Sequence, residues 1–309
     1  MFDSPLSASA YEVLAVAPDA DGETLRKAYR LRLRQTHPDT GGDAAVFVQV
    51  QRAWELVGTP EARAAYDRGH GFGTTPASFA PEGPQWRPPA RAADTRPRAR
   101  SFGQPGGWRR ERYLTLIREW VGRGVTLDDP YDPALVRTAP REVRRLLADA
   151  LAEEATARIV ADLGMGYTVW HDVVADPRDS DAKLDHIVLG PSGLYAVRSE
   201  DLGGPVRVRR GELIGEAVSG APVAELVRAA RAVARGARVR FSGALLVLPD
   251  DDVTAAIDEL GKVRGLPVAL VARGALATVL RRGVSSARDI GGNELFDVRT
   301  RLQQTVRFV

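Results

Sequence analysis

The tripeptide His37-Pro38-Asp39 separates two segments with helical periodicity, and it constrains the fold of the N-terminal region more than any other feature. Pro38 disfavours the α conformation at His37, and two glycines follow closely, so the preceding helix must end there. That helix, predicted over residues 23–36, consists of strong helix formers and carries five cations, which are Arg26, Lys27, Arg30, Arg32 and Arg34.

A second helix is predicted after the tripeptide. Asp43 can cap its start, and Gly58 can end it. Between them, apolar side chains recur at helical spacing; they are Phe47, Val50, Trp54 and Val57. The pattern predicts two antiparallel helices joined by an exposed polar loop.

These residues resemble the J domain of the DnaJ family over about residues 9 to 68. The matching segments are Tyr11–Leu14, Arg26–Arg30, the His-Pro-Asp loop, Phe47, Ala53-Trp54 and Ala62–Asp67. The resemblance implies that His37, Pro38 and Asp39 stimulate ATP hydrolysis by a DnaK-type heat-shock chaperone. It also implies that the basic helix before the tripeptide, with Arg26, Lys27, Tyr29 and Arg30, docks on an acidic surface of that chaperone.

The basic helix predicted over residues 23–36 departs from the family pattern at one point. Leu31 stands where the family often has a cation, and Arg32 stands where it often has a leucine. This exchange predicts a local rotation of the helix face. A cluster of cations still creates a positive field that speeds and orients encounter with an acidic partner.

Composition bounds the remaining classes. The 309 residues include no cysteine, which excludes disulfides, thiolate metal sites and the zinc region of longer DnaJ relatives. No run of eighteen apolar residues and no signal-peptide pattern are present, so we expect a cytoplasmic chain with no membrane partner. Arginine far outnumbers the three lysines, Lys27, Lys183 and Lys262, and with the abundant alanine this indicates a GC-rich bacterial genome.

Between residues 71 and 110 the composition shifts to Gly, Pro and Arg, which predicts a disordered linker. Such a basic stretch could bind nucleic acid nonspecifically, although a plain tether is favoured. The linker would join a J domain at residues 5–70 to a short helical connector at 111–139. An α/β domain follows at 140–305, because strand patterns there alternate with helical ones, and it is predicted as one mixed sheet with helices on its faces.

The α/β region resembles the nuclease-related domain, a branch of the restriction-endonuclease-like fold, over about residues 140 to 285. The most specific match is Asp185–Gly193, and the helix that carries Glu153 and Glu154 matches the acidic first helix of that family. The family holds Mg²⁺ between a carboxylate, Asp185 here, and an acidic residue on the next strand, where a lysine two residues later helps to activate water.

In this chain the acidic position is Arg198 and the lysine position is Glu200, so the charges are reversed. A guanidinium repels Mg²⁺ and cannot be deprotonated to relieve the repulsion. We therefore expect no cofactor and no catalysis, and we predict that Arg198 neutralises the Asp185 and Glu200 carboxylates. A migrated nuclease site built from Glu154, Asp185 and Glu200 is the alternative.

Other candidate sites are weaker. His171-Asp172 and Asp185-His186 are sequence neighbours, which point to opposite faces of a strand, so no dyad is predicted from them. A zinc site would need His70, His171 and His186 to converge, and nothing in their spacing suggests it. Residues 176–181 are acidic but lack the glycine and closing glutamate of a calcium loop, and are predicted as a solvated loop.

The sequence thus predicts a multidomain J-domain co-chaperone whose C-terminal domain is a non-catalytic targeting or client-binding module. The alternatives are a Mg²⁺-dependent nuclease and a DNA-binding adaptor that uses the nuclease surface without cutting.

Overall fold

The computed structural model describes residues 4–70, 72, 97–122, 124–176, 179–215, 218–285 and 290–309. Within these ranges the chain forms an N-terminal helical unit and a C-terminal α/β unit, as predicted. The predicted disordered linker lies, over residues 73–96, outside the described residues.

The N-terminal unit is a short helix followed by a helical hairpin and a closing helix. Ser9 and Glu12 form a capping box at the first helix, and Asp21 caps the second by accepting the Thr24 N–H. Buried Tyr11, Leu14 and other apolar side chains form its core. The bounds are α1 Ala10–Leu14, α2 Gly22–Thr36, α3 Ala44–Val57 and α4 Pro60–His70.

Residues 97–110 were predicted to belong to the disordered linker, but they contain regular secondary structure. Strand β1 is Arg100–Phe102 and helix α5 is Gly107–Val121; helix α6, Pro133–Thr138, follows in the predicted connector. Tyr113 and Ile117 of α5 are fully buried. The composition misled the prediction because the arginines here bind carboxylates far away in the sequence.

Within the described residues, seven strands form one sheet in the order β1-β2-β3-β4-β7-β9-β8. The antiparallel run β2-β3-β4 continues into parallel β4-β7-β9, which confirms the predicted mixed sheet. A separate hairpin is formed by β5 and β6. The bounds are β2 Thr168–Asp176, β3 Asp179–Gly190, β4 Gly193–Ser199, β5 Arg207–Arg209, β6 Glu212–Ile214, β7 Gly243–Leu248, β8 Ile257–Val263 and β9 Leu266–Ala272.

Two differences concern the strands. Of the acidic segment predicted as a loop at residues 176–181, Asp176 instead ends β2 and residues 179–181 begin β3, with Asp176 paired to Asp179. Residues 177–178 lie outside the described residues. Strand β8 was not predicted, because as an exposed edge strand it shows no apolar alternation.

Helices cover both faces of the sheet. Helix α7, Arg141–Ala161, and helix α9, Leu276–Arg282, pack on one face, around Val188 and Val247. Helix α8, Pro222–Ala237, and helix α10, Gly292–Thr305, pack on the other. No helix in the described ranges is long and apolar enough to cross a membrane.

The helical unit contacts the α/β unit through α3 and the segments beside it. Arg52 of α3 forms an ion pair with Asp251. Asp43, just before α3, pairs with Arg207 at 2.8 Å. Helix α2 lies away from this contact, and most of its charged side chains are exposed.

Candidate functional site

The His-Pro-Asp loop is a rigid turn at the end of α2. His37 leaves the helix in an extended conformation, and residues Pro38–Thr40 form a single 3₁₀ turn. The His37 ring packs edge-on against Phe47 with centroids 5.0 Å apart, and its Nδ1 accepts the Asp39 N–H at 3.2 Å. The Asp39 carboxylate is 88% exposed, so the loop presents its charge to solvent.

The cations predicted for docking lie on the exposed side of α2. Arg26, Lys27 and Arg30 are exposed, and Lys27 pairs with Glu23 one turn away, at 2.8 Å. Tyr29 differs from them, because its ring stacks on Trp54 of α3 at 4.5 Å. The basic face is therefore formed by the three cations, and Tyr29 belongs to the packing between α2 and α3.

The exchange of Leu31 and Arg32 has a visible structural result. Leu31 is 57% exposed, while the Arg32 Nε donates to the Val13 carbonyl at 3.3 Å. Arg32 is thus turned toward α1, and a leucine takes its place among the exposed cations of α2.

A second candidate site is a buried ionic cluster in the α/β unit, centred on Lys183. Its Nζ donates to both carboxylate oxygens of Glu153, at 2.7 and 2.8 Å, and to Asp185 at 2.9 Å. It also bonds Asp172. We call these residues, together with Asp149 and Arg109, the Lys183 cluster.

The cluster is assembled from four elements. Helix α7 supplies Asp149 and Glu153, strand β3 supplies Lys183 and Asp185, and β2 supplies Asp172. Arg109 enters from α5; its Nε donates to Glu153 at 2.6 Å and its Nη1 to Asp149 at 2.9 Å.

A local irregularity in β2 accompanies this arrangement. Asp172 has a φ of 51°, which is rare for a residue with a side chain. The β2–β3 register runs from His171 opposite His186 to Val173 opposite Leu184. Asp172 therefore lies opposite Asp185 in the ladder, and its carboxylate also bonds Lys183.

Burial and mutual charge push the carboxylate pKa values apart. Burial and the neighbouring Asp185 raise the pKa of Glu153 to about 8, and burial raises the pKa of Asp149 to about 6. Burial alone would also raise the pKa of Asp185, but Lys183 and Arg109 hold it well below its ordinary value. Asp185 is thus the carboxylate of the cluster that stays ionised most readily.

The structure separates the three residues of the predicted migrated nuclease site. Asp185 lies in the Lys183 cluster, whereas Glu154 points away and binds Arg110 at 2.8 Å. Glu153, one residue earlier, is the helix carboxylate that faces the sheet. The sequence indicates this orientation of Glu153, because Glu153 precedes the buried residues Ala157 and Val160 by four and seven positions and so lies on the same face of α7.

Glu200 pairs with Arg198 at 2.6 Å, as predicted. Among the described residues Arg198 forms no direct ion pair with Asp185, although its charge helps to lower the pKa of Asp185. Its other partner is Glu225, at 3.0 Å. Asp185 instead accepts bonds from Lys183 and from the Ser199 N–H, the latter at 2.8 Å. A cation does bind Asp185 inside the protein, as predicted, but it is Lys183 and not Arg198. Lys183 lies two residues from Asp185 on the same face of β3, and its ammonium is within hydrogen-bond distance.

These residues do not fit a magnesium ion. A divalent cation among Glu153, Asp172 and Asp185 would meet the Lys183 ammonium and the Arg109 guanidinium in a water-poor site, where like charges repel strongly. In the described ranges, no group of three or more histidine and acidic side chains is arranged to hold a metal ion. His70 lies in α4 and stacks on Tyr66, whereas His171 and His186 lie opposite each other on β2 and β3.

A cleft of about 660 Å³ opens beside the cluster. Lys183 and Arg198 line its inner side, and exposed Arg228 and Arg235 of α8 line its rim. The cleft also contains the carboxylates of Asp176 and Glu225.

Comparison with known proteins identifies both units. Residues 9–67 match the family model of the DnaJ domain, and residues 148–242 match that of the nuclease-related domain. These matches confirm both resemblances drawn from the sequence.

Curated relatives match through the N-terminal unit. A chaperone protein DnaJ from Trichormus variabilis is 41% identical over 76 residues, which is 24% of this chain and 18% of the relative. One from Prochlorococcus marinus is 43% identical over 61 residues, which is 19% and 16% of the two chains. DnaJ protein homolog 2 from Allium porrum is 45% identical over 58 residues, 19% of this chain and 14% of the relative. The chain thus spans less than a fifth of the length of these relatives.

Proposed function

We propose that this J-domain protein is a co-chaperone that binds a DnaK-type heat-shock chaperone and stimulates its ATPase. The carrying observation is the His-Pro-Asp loop, in which the His37 ring packs on Phe47 and Asp39 presents an exposed carboxylate beside an exposed basic helix. A contact of this kind needs no chemistry of its own, since preorganised groups can bias a partner that hydrolyses ATP.

The position of the α/β unit supports the same proposal. It forms ion pairs with Asp43, just before α3, and with Arg52 of α3. The cations Arg26, Lys27 and Arg30 of α2 stay exposed. A chaperone can therefore dock on α2 without displacing the α/β unit. The proposal also requires that chain and chaperone share a compartment, the cytoplasm expected from the sequence.

The test is ATP hydrolysis by the chaperone in single turnover. The full chain should accelerate it, and His37→Gln should abolish the acceleration while leaving the melting temperature unchanged. His70→Gln is the matched control, because this histidine lies in α4 rather than in the loop, and it should keep the stimulation. Equal stimulation by wild type and His37→Gln would overturn the proposal.

We further infer that the α/β unit acts as a non-catalytic targeting or client-binding module. The supporting observation is Lys183, whose ammonium fills the position between carboxylates that a nuclease would use for its metal. The full chain should then leave single- and double-stranded DNA uncut with Mg²⁺ or Mn²⁺ present. Cleavage that disappears in Asp185→Asn would favour the nuclease alternative.

A second candidate for this unit is nucleic-acid binding without cleavage. The exposed Arg228 and Arg235 at the rim of the cleft favour it, because cations on one rim can contact successive phosphates. Fluorescence anisotropy with labelled DNA should show salt-sensitive binding that Arg228→Glu with Arg235→Glu removes. Arg231→Glu, whose side chain bonds the Arg264 carbonyl outside the cleft, should leave it intact. Absence of binding by wild type would exclude this candidate.

A further inference from the structure

Three side chains beside the Lys183 cluster form a hydrogen-bonded row that the proposed function does not use. The Oγ of Ser101 lies 2.8 Å from Nε2 of His171, and Nδ1 of His171 lies 2.7 Å from Nδ1 of His186. The two rings are perpendicular, with an angle of 88° between them. Ser101 is exposed, whereas both histidines are buried.

The sheet itself aligns this row. Strand β1 runs parallel to β2 with Ser101 opposite Val169, and His171 lies directly opposite His186 across β2 and β3. Phe102 stacks on Trp170 on the other face, so Ser101 shares the face of His171. His171 therefore pairs with His186 across the two strands and not with its sequence neighbour Asp172.

Two features, one in the row and one beside it, destabilise the folded state. The Nε2 of His186 is buried and has no hydrogen-bond partner among the described residues, which destabilises the folded state. Asp172, next to His171, has the left-handed backbone conformation described above. Orphaned buried groups and strained residues are concentrated at functional sites.

We propose that Ser101, His171 and His186 form a serine acyl-transfer site that hydrolyses carboxylic esters with an accessible carbonyl. A nucleophile and a base in hydrogen-bond contact, with the base oriented by a third group, is the arrangement that such chemistry requires. Ser101 stands on an exposed edge strand, so an extended or small acyl group can reach it.

The chemical step balances with water as the only co-reactant. Ser101 Oγ attacks the carbonyl carbon while its proton passes to His171 Nε2. The tetrahedral intermediate expels the alcohol, which takes that proton, and leaves an acyl-serine. Water then attacks the ester carbon through the same base and releases the acid, and the proton returns to Ser101 Oγ.

His186 is a positioning residue in this scheme. Its Nδ1 accepts the Nδ1–H of His171, which fixes the tautomer that leaves Nε2 of His171 free to take the serine proton. The negative oxygen of the intermediate meets the Ser101 N–H. Arg100 donates its N–H to the Tyr167 carbonyl at 3.1 Å, and alternation along the strand turns the next N–H toward the open edge of the sheet.

The test uses the full chain with p-nitrophenyl acetate and a fluorophosphonate probe, with the labelled residue identified by mass spectrometry. The probe should modify Ser101, and Ser101→Ala should abolish the label and lower ester turnover at least about 100-fold. The exposed side chain makes this variant safe for folding. Ser285→Ala, at an exposed serine bonded to Glu259, is the matched control and should change neither readout.

The positioning role has its own readout. His186→Asn keeps an oxygen that can accept the His171 N–H and should retain part of the labelling rate, whereas His186→Leu should lose it at equal melting temperature. Absence of probe on Ser101 in wild type, or ester turnover that Ser101→Ala does not lower, would overturn the proposal. Neither result bears on the chaperone function, which depends on residues of the helical unit.

Discussion

The ammonium of Lys183 lies 2.9 Å from the carboxylate of Asp185, two residues along the same strand and on the same face. Both side chains are almost completely buried, and Glu153 and Asp172 complete the coordination of the ammonium. Lys183 is thus the internal counter-ion of these three carboxylates.

Removal of this counter-ion should be strongly destabilising. Lys183→Met leaves three buried carboxylates facing each other, and the loss of one partner of a buried ion pair costs about 3–5 kcal/mol. Urea denaturation should show this loss. Lys262→Met, at an exposed lysine of β8, should change the free energy of unfolding by less than about 0.5 kcal/mol. Comparable stability of the two variants would mean that Lys183 is not the counter-ion.

The exposed cations of α2 should act on association with the chaperone rather than on dissociation. Arg30→Glu is expected to slow the association rate several-fold, because it inverts part of the steering field. Salt should weaken binding by wild type, since screening limits such fields to about 8–10 Å near physiological ionic strength. Surface plasmon resonance at several salt concentrations measures both. Binding that does not respond to salt would show that the exposed Leu31 and other apolar contacts dominate.

The contact between the two units should show a measurable coupling. Arg52→Asp and Asp251→Arg should each weaken the packing of the units, and the double exchange should restore it. The pair is partly exposed, so a coupling energy of about 0.5–1 kcal/mol is expected from a double-mutant cycle of unfolding free energies. Additive single effects would mean that the ion pair does not contribute to the contact.

Stability should depend on pH through Asp252. Burial and nearby Asp201 raise the pKa of this carboxyl from 3.8 to about 7. Between about pH 4 and pH 7 the folded state holds a proton on Asp252 that the unfolded state has lost. The contribution of Asp252 to stability is therefore greatest below about pH 4 and falls as pH rises toward 7. Asp252→Asn should remove this dependence and be more stable at pH 8, by up to about 4 kcal/mol.

The neighbouring Asp251 supplies the control for this measurement. Its hydrogen bond from Arg52 lowers the pKa of Asp251, which is the opposite direction. Asp251→Asn should therefore lose stability above about pH 4 instead of gaining it. If both variants respond to pH in the same way, burial of Asp252 is not the cause.

Elements with a strong local pattern were predictable from the sequence. The hairpin of α2 and α3 follows from two amphipathic segments around a Pro-Gly-rich turn. Strand β7 was predictable, since a short, fully buried strand is an unbroken apolar run. The His-Pro-Asp loop was found because its residues are contiguous.

The Lys183 cluster could not be predicted in full, because its members come from four elements that meet only in the fold. Lys183 and Asp185 share a strand face by simple alternation, and this signal was available in the sequence. The place of Arg109 was hidden by a composition typical of a linker. The distortion at Asp172 has no sequence signature, since nothing in the local pattern marks a left-handed aspartate.

The most direct test of the account is the rate of single-turnover ATP hydrolysis by a DnaK-type chaperone with the full chain and with Asp39→Asn. Asn keeps the shape of this highly exposed side chain and removes only its charge, so folding should be unaffected. We expect clear acceleration by wild type and the basal rate with Asp39→Asn. Equal acceleration by both proteins, or none by wild type, would contradict this expectation.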